Sequence, residues 1–248
     1  MDLKEFFEQN KKAAVAFSGG VDSSYLLYAA KRYGADVTAY YVRSQLQPDF
    51  EYEDAEMIAA LTGVRMKVLT LDALSDPRVS SNPADRCYWC KRNIMGAIIR
   101  AASDDGCSLI IDGTNASDPA DDRPGMKALK EFGIRSPLRE CGITKQEVRR
   151  RSKEAGLPVW NKPAYACLAT RIPCGEIITE EKLSKTEKAE NMMREMGFTD
   201  FRVRMRGDSA LIQVKEDQFD KAQECLDEIR AVLLPMYSAA ELDHEIRR

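Results

Sequence analysis

The stretch Ser18-Gly19-Gly20-Val21-Asp22-Ser23-Ser24 constrains this chain more than any other. An apolar run, Ala13-Ala14-Val15-Ala16-Phe17, stands ahead of it, and Tyr25-Leu26-Leu27-Tyr28-Ala29-Ala30 follows. That order predicts a strand, a tight glycine turn and a helix. Adjacent glycines reach backbone angles that other residues avoid, and they let a ligand come close to the chain. The hydroxyls of Ser18, Ser23 and Ser24 add donors. Loop N–H groups and the positive end of the helix then converge on one point, which suits a phosphate. This is not the G-x-x-x-x-G-K-[ST] loop, because no Lys follows the glycines. A Gly/Ser turn without a ligand is the plain alternative. The length of the motif and its place on the first strand favour a nucleotide.

The pattern continues as alternating elements. A leading helix is expected over residues 2–10, and the helix after the loop runs to about Tyr33. Val37 to Val42 and Met66 to Leu71 read as strands, with a helix over Phe50 to Leu61 between them. This alternation predicts an α/β fold, a parallel doubly wound sheet with helices on both faces. Ligands of such sheets sit beyond the carboxyl ends of the strands, where residues 18–24 fall. Asp76 to Asn82 reads as a polar connection and Pro83 to Ser103 as a segment ending in a helix. Leu109-Ile110-Ile111 reads as another short strand. It runs into Asp112-Gly113-Thr114-Asn115, whose polar groups are placed to reach the nucleotide or its metal; local turn caps are the alternative. Residues 118–124, with three Asp, are expected as a loop that closes over the ligand.

Ile134 to Leu138 reads as a last strand. Thr144 and Glu147 form a capping box for a helix to Ala155, and Arg149-Arg150-Arg151 read as its solvated face. Residues 157–175 lack periodicity, and such a long irregular stretch in a compact protein points to function. From Thr179 the pattern changes to a helix, two strands (Phe201 to Met205 and Ala210 to Val214) and a final helix, Gln218 to Leu233. A division into residues 1–175 and a small α-β-β-α domain over 176–248 follows.

The 248 residues are 44% hydrophobic and carry a net charge of −3. That balance disfavours nucleic acid as a partner, since such domains are usually basic. No apolar run of membrane length occurs. The acidic start lacks the features of a signal peptide, so a cytoplasmic location is expected. There the seven cysteines are expected as thiols, metal ligands or catalytic groups rather than disulfides. Cys87 and Cys90 have the spacing of metal ligands. A closed zinc site would want four ligands, yet a second C-x-x-C is absent and the one histidine is His244. A redox pair, two packed thiols, and an iron–sulfur site with Cys167 as third ligand remain open. With three thiolates, one iron of a [4Fe–4S] cluster is left for an outside ligand. Cys107, Cys141 and Cys225 read as packing residues and Cys174 as a reserve ligand.

The S-G-G-x-D-S loop resembles the PP-loop of the ATP pyrophosphatases, as does D-G-T-N at its place. With Cys87-Tyr88-Trp89-Cys90-Lys91 and Ala166-Cys167-Leu168-Ala169-Thr170-Arg171-Ile172-Pro173, the chain resembles the LarE family over residues 13 to about 215. The resemblance implies an ATP- and Mg²⁺-dependent sulfur transferase that releases AMP and pyrophosphate. It implies a pyridinium biscarboxylate mononucleotide as acceptor, in the synthesis of the nickel-pincer nucleotide cofactor. Ser18, Gly19, Gly20, Asp22, Ser23, Ser24, Gly113, Thr114 and Asn115 are then the nucleotide site, with Asp22 and Cys167 catalytic. Cys87, Cys90 and Cys167 match members thought to hold a [4Fe–4S] cluster carrying an extra sulfide. Other members have only the cysteine matching Cys167 and give up its sulfur.

Arg202 and Arg204 alternate along one strand and so share a face. With Arg171 they are expected to bind the acceptor's phosphate and carboxylates. Trp89 is a candidate stacking residue. Gln213 departs from the family pattern, which puts any acidic role there in doubt. A small-molecule nucleotide substrate, a sulfide donor and a homo-oligomer are the expected partners. A PP-loop tRNA thiolase and a non-enzymatic iron–sulfur nucleotide sensor are the alternative functions.

Overall fold

The structure, a computed structural model, describes residues 1–119 and 124–244. In chain order its elements begin α1 (Leu3–Gln9), β1 (Lys12–Phe17), α2 (Val21–Arg32), β2 (Asp36–Arg43), α3 (Asp49–Thr62) and β3 (Arg65–Thr70). They continue α4 (Pro77–Ser80), α5 (Arg86–Asp104), β4 (Ile110–Asp112), α6 (Pro124–Glu131), α7 (Pro137–Glu140) and α8 (Lys145–Glu154). The chain ends α9 (Glu180–Glu195), β5 (Arg202–Arg206), β6 (Ser209–Gln213), α10 (Phe219–Glu224), α11 (Leu226–Leu233) and β7 (Ala240–Leu242). Two compact units divide these elements: Met1–Ala73 with Asp85–Lys162, and Leu74–Ala84 with Pro163–Arg248.

The first unit is built on a parallel sheet in the order β3-β2-β1-β4. Both faces of β1 are covered. Ala13, Val15 and Phe17 pack in one core cluster with residues of α1, α2 and α3, while Ala14 and Ala16 pack in another with Met95 and Ile98 of α5. A strand buried on both sides must read as a continuous apolar run, which is why residues 13–17 do. The chain leaves β1 for β2 on one side and later returns to β4 on the other. A crevice opens at such a reversal, beyond the carboxyl ends of β1 and β4.

The second unit carries the sheet β5-β6-β7, antiparallel and then parallel. Val203 and Met205 are buried, as are Leu183 and Met193 of α9 and Ile229 and Leu233 of α11. The sequence reading puts the division after Gly175; the compact units divide after Lys162. Asn82 ties residues 74–84 into the second unit. It is buried, at φ 57°, and its side chain donates to the carbonyls of Pro173 (2.7 Å) and Ile172 (3.3 Å).

Most expected elements form, with local departures. The connection at 76–82 contains the single turn α4, capped by the Asp76 side chain. The strand expected over Ile134 to Leu138 shrinks to one bridge between Arg135 and Ile111, because Pro137 opens α7 instead; proline brings no N–H to a ladder and favours a helix start. The final helix breaks at Cys225 into α10 and α11, with no Gly or Pro to announce it. β7 is unexpected and pairs with β6. The Thr144 side chain caps Glu147, but Glu147 turns to Arg150 and Arg151 rather than completing the box. Arg149 is not simply solvated: it donates to the carbonyls of Trp160 and Lys162, both at 2.8 Å. The expected closing loop, 118–124, runs through residues 120–123, which lie outside the described residues. Among the described residues no helix is long and apolar enough to cross a membrane.

Candidate active site

The crevice beyond β1 and β4 holds a cleft of about 210 Å³, lined by Ser18, Gly20, Asp22, Ser23, Asp112, Gly113 and Thr114 among others. Gly20 is the N-cap of α2 and has no side chain to satisfy the helix's first N–H groups, so those donors stay available for a ligand. Gly19 sits at φ 72°, and a Cβ there would come within 3.1 Å of Ala55 Cβ and of the Glu51 carbonyl oxygen. Only glycine meets both conditions. The Ser23 hydroxyl lies 3.1 Å from Ser18 Oγ and donates to the Gly20 carbonyl at 3.2 Å, which closes the loop on itself.

The second wall is as tight. A Cβ on Gly113 would fall 2.7 Å from the Ser23 nitrogen and 2.9 Å from its Cα. The end of β4 therefore presses on the backbone at the start of α2, and glycine is required for that approach. Asp112 holds the turn: its carboxylate accepts from Thr114 Oγ1 (2.6 Å) and from Ser136 Oγ (2.7 Å). Asn115 is buried and reaches Asp22 Oδ1 at 3.3 Å rather than lining the cleft. Ser24 is fully buried, and its hydroxyl has no hydrogen-bond partner among the described residues. Of the expected nucleotide residues, Gly19, Ser24 and Asn115 shape the site from behind, and the others face it.

Asp22 carries the electrostatics. Burial pushes its carboxyl above the ordinary value, against the pull of the Lys145 ammonium, which donates to Oδ2 at 2.5 Å. Lys145 is the first residue of α8, and its backbone N–H donates to Ser117 Oγ at 3.0 Å. The helix start and the loop after β4 are thereby joined.

The cysteines are divided between the units. Cys87 and Cys90 stand on the first turn of α5, one turn apart and so on one face, Cys87 exposed and Cys90 half-buried. Trp89, beside them, donates to Asp85 Oδ2 at 2.9 Å and packs edge-on to Tyr88. Cys167 belongs to the second unit, half-buried at the start of the 3-10 turn Leu168–Arg171. Among the described residues no three Cys, His, Asp or Glu side chains are gathered as a metal site.

The arginines expected to bind anions lie around this turn. Arg171 is fully buried and pairs with Glu190 through Nε (2.8 Å) and Nη2 (2.9 Å). Arg202 is buried too and donates to the carbonyls of Phe201 (2.6 Å) and Ala164 (2.9 Å). Burial, and after it the Arg171 charge, brings its pKa down to about 10. Arg204 is half-buried and donates to Thr170 O (2.8 Å) and Gln213 Oε1 (2.5 Å). Arg202 and Arg204 do share a face, and that face holds the 164–170 backbone.

Comparison with known proteins fits this geometry. The family model described as queuosine biosynthesis protein QueC matches residues 12–92, which span β1 and the glycine loop. A protein of Lactiplantibacillus plantarum, pyridinium-3,5-bisthiocarboxylic acid mononucleotide synthase, is 36% identical over 83% of this chain and 75% of its own length. The uncharacterized protein slr1717 of Synechocystis is 38% identical over 89% of this chain and 82% of its own. The uncharacterized protein MJ0830 of Methanocaldococcus jannaschii is 29% identical over 87% and 82%. The chain belongs to the LarE family. That places it among PP-loop, ATP-using sulfur transferases.

Three features of this LarE-family chain escape sequence reasoning. Lys145 stands 123 residues from Asp22 and reads locally as part of a helix cap. Lys91 lines the cleft from α5, one turn below Cys87, and could have been found from the helical spacing. Glu190 lies on a charged amphipathic helix where solvent exposure is the natural expectation, yet it is 1% exposed.

Proposed function

We propose that this chain activates a carboxylate of a pyridinium mononucleotide with ATP and replaces the activated oxygen with sulfur, in the assembly of a nickel-pincer nucleotide. The name carried by the Lactiplantibacillus relative supports the choice of acceptor. The observation that carries the reading is the convergence of the 18–24 and 112–114 loops on one cleft, with Gly113 against the Ser23 backbone.

A carboxylate is a poor electrophile because oxide leaves badly. Its oxygen attacks the α-phosphorus of ATP, the bond to the bridging oxygen breaks, and pyrophosphate leaves with that electron pair. A sulfur nucleophile then adds to the acyl carbon and AMP departs, giving a thiocarboxylate. The first turn of α2 and the loop N–H groups bind and orient the phosphates where charge develops. Asp22 and Asp118 line the cleft and would offer carboxylate oxygens to a Mg²⁺ held mainly by the phosphates of the nucleotide. Lys145 balances Asp22 until nucleotide and metal arrive.

Cys87 and Cys90, one helical turn apart and exposed or half-buried, are suitable thiolate donors to an iron–sulfur cluster; the family resemblance alone adds Cys167 as the third. Such a cluster, when bound, supplies an open iron site for sulfide. A sulfide donor, a homo-oligomer and a cytoplasmic setting belong to the same proposal.

The test is anaerobic incubation of the protein with ATP, Mg²⁺ and the pyridinium biscarboxylate mononucleotide. AMP, pyrophosphate and a thiocarboxylate are expected. ADP as the main product would overturn the reading, and copurifying RNA that becomes thiolated would move it to a tRNA thiolase. Intact mass distinguishes the sulfur sources: loss of sulfur from Cys167 marks a sacrificed cysteine, and an unchanged mass after several turnovers marks a cluster-borne sulfide.

A further inference from the structure

We propose that Glu190 is a positioning residue for Cys167, acting through Arg171 as a buried clamp on the backbone around that cysteine. The functional consequence rests on the role proposed for Cys167 above, whereas the clamp itself is tested on the thiol alone.

Every acceptor direction of the Glu190 carboxylate is occupied. Oε1 accepts from Arg171 Nε (2.8 Å) and from the backbone N–H of Val203 on β5 (3.0 Å). Oε2 accepts from Arg171 Nη2 (2.9 Å) and from the Tyr165 hydroxyl (2.5 Å). The fork holds the guanidinium in one plane and aims its third arm at the Cys167 turn. From there Nη1 donates to Ala166 O (2.7 Å), Cys167 O (3.3 Å) and Thr170 Oγ1 (2.8 Å). The carbonyl of Ala166 belongs to the peptide plane before Cys167, and its own carbonyl belongs to the plane after it. Fixing both planes fixes φ and ψ, here −54° and 150°. The direction of the Cα–Cβ bond follows, and only χ1 of the thiol is left to turn. Arg202 anchors one end of the turn at Ala164 O, and Arg204 anchors the other at Thr170 O.

Stability alone is a weak reason for such an arrangement. A buried ion pair is often no more stabilising than apolar side chains of the same volume, but it can specify one conformation. The conformation specified here is the backbone of Cys167. The Arg171–Glu190 pair has side-chain exposures of 0% and 1%, so neither group is placed to meet a substrate. Arg171, which the sequence assigns to an anion, is spent on the clamp.

The experiment measures alkylation of Cys167 by iodoacetamide in the full chain under anaerobic conditions. Peptide mass spectrometry reads the rate, with Cys225 in the same chain as reference. Three variants are compared: Glu190→Gln, Tyr165→Phe, and the double change Glu190→Leu with Arg171→Met, which removes both charges of the pair together. The Cys167 rate relative to Cys225 should rise about tenfold in Glu190→Gln and in the double variant, and less in Tyr165→Phe, because a released backbone no longer fixes the thiol. A double variant that melts near the wild-type temperature with an unchanged relative rate would show a purely structural pair and overturn the proposal. Should Glu190→Gln not fold, the other two variants carry the same decision. Neither ATP nor acceptor is present, so failure here is separate from failure of the proposed activity. With substrates, the double variant should release AMP at the wild-type rate and form less thiocarboxylate per AMP; equal loss of both would also overturn the proposal.

Discussion

Two loops in this chain do comparable work by opposite means. The 18–24 loop gets its shape from backbone: two glycines, an uncapped helix start, and a third glycine pressed in from β4. The Cys167 turn gets its shape from long side chains: one buried carboxylate and three arginines converging on carbonyl oxygens. A backbone-built site is encoded within a few residues and can be recognised from them. A side-chain-built one depends on partners 19 to 38 positions apart in the chain, and of its charged residues only Arg171 lies near Cys167. The two sites should therefore fail in different ways when mutated.

The largest effect is expected where a buried charge loses its partner. Arg171→Met leaves the buried Glu190 carboxyl without its two-pronged partner and should lower stability by about 3–5 kcal/mol. Urea unfolding followed by circular dichroism measures this, and a loss comparable to that of a surface pair would refute the clamp's burial.

Next comes the backbone-built loop. Gly113→Ala forces a methyl group onto the Ser23 backbone, which cannot yield as a side-chain tip can. AMP and pyrophosphate formation should fall about 100-fold, since displacements near 1 Å at a reacting site cost that much. Cys167 alkylation should not change in this variant. AMP release at the wild-type rate would mean that the β4 turn does not shape the cleft.

A smaller effect is expected from the ion pair in the cleft. Lys145 and Asp22 retain 33% and 22% of their side-chain exposure. Lys145→Met should therefore cost less than about 1 kcal/mol of stability. Set beside Arg171→Met in the same denaturation assay, it tests whether burial separates the two pairs; equal losses would erase the contrast.

The smallest effect is a matter of sign. Burial raises the pKa of Asp22 in the folded chain. Folding therefore favours its neutral form, a contribution complete below the unfolded-state value and lost as pH rises through the folded one. Asp22→Asn is neutral at every pH. It should melt slightly above the wild type near pH 7, and the gap should close as pH falls toward about 4. Thermal scans across that range check it, and a gap that widens on acidification would contradict the raised value.

Much of the fold and the nucleotide half of the site were legible in the chain itself. The apolar run 13–17 and the adjacent glycines determine a doubly covered strand and an open helix start, because both follow from steric rules acting over a few residues. The same short-range rules account for Gly63, whose left-handed backbone ends α3. Only the tertiary structure decided what depends on distant partners. It reduced the strand near residue 135 to one bridge, since pairing with Ile111 competes with the helical start that Pro137 favours. It brought Lys145 to Asp22 and turned Arg171 and Arg202 inward. A charged side chain reads as solvated until the fold supplies the carboxylate and carbonyls that replace its water, and those oxygens come together only when α9, β5 and the Cys167 turn pack against one another.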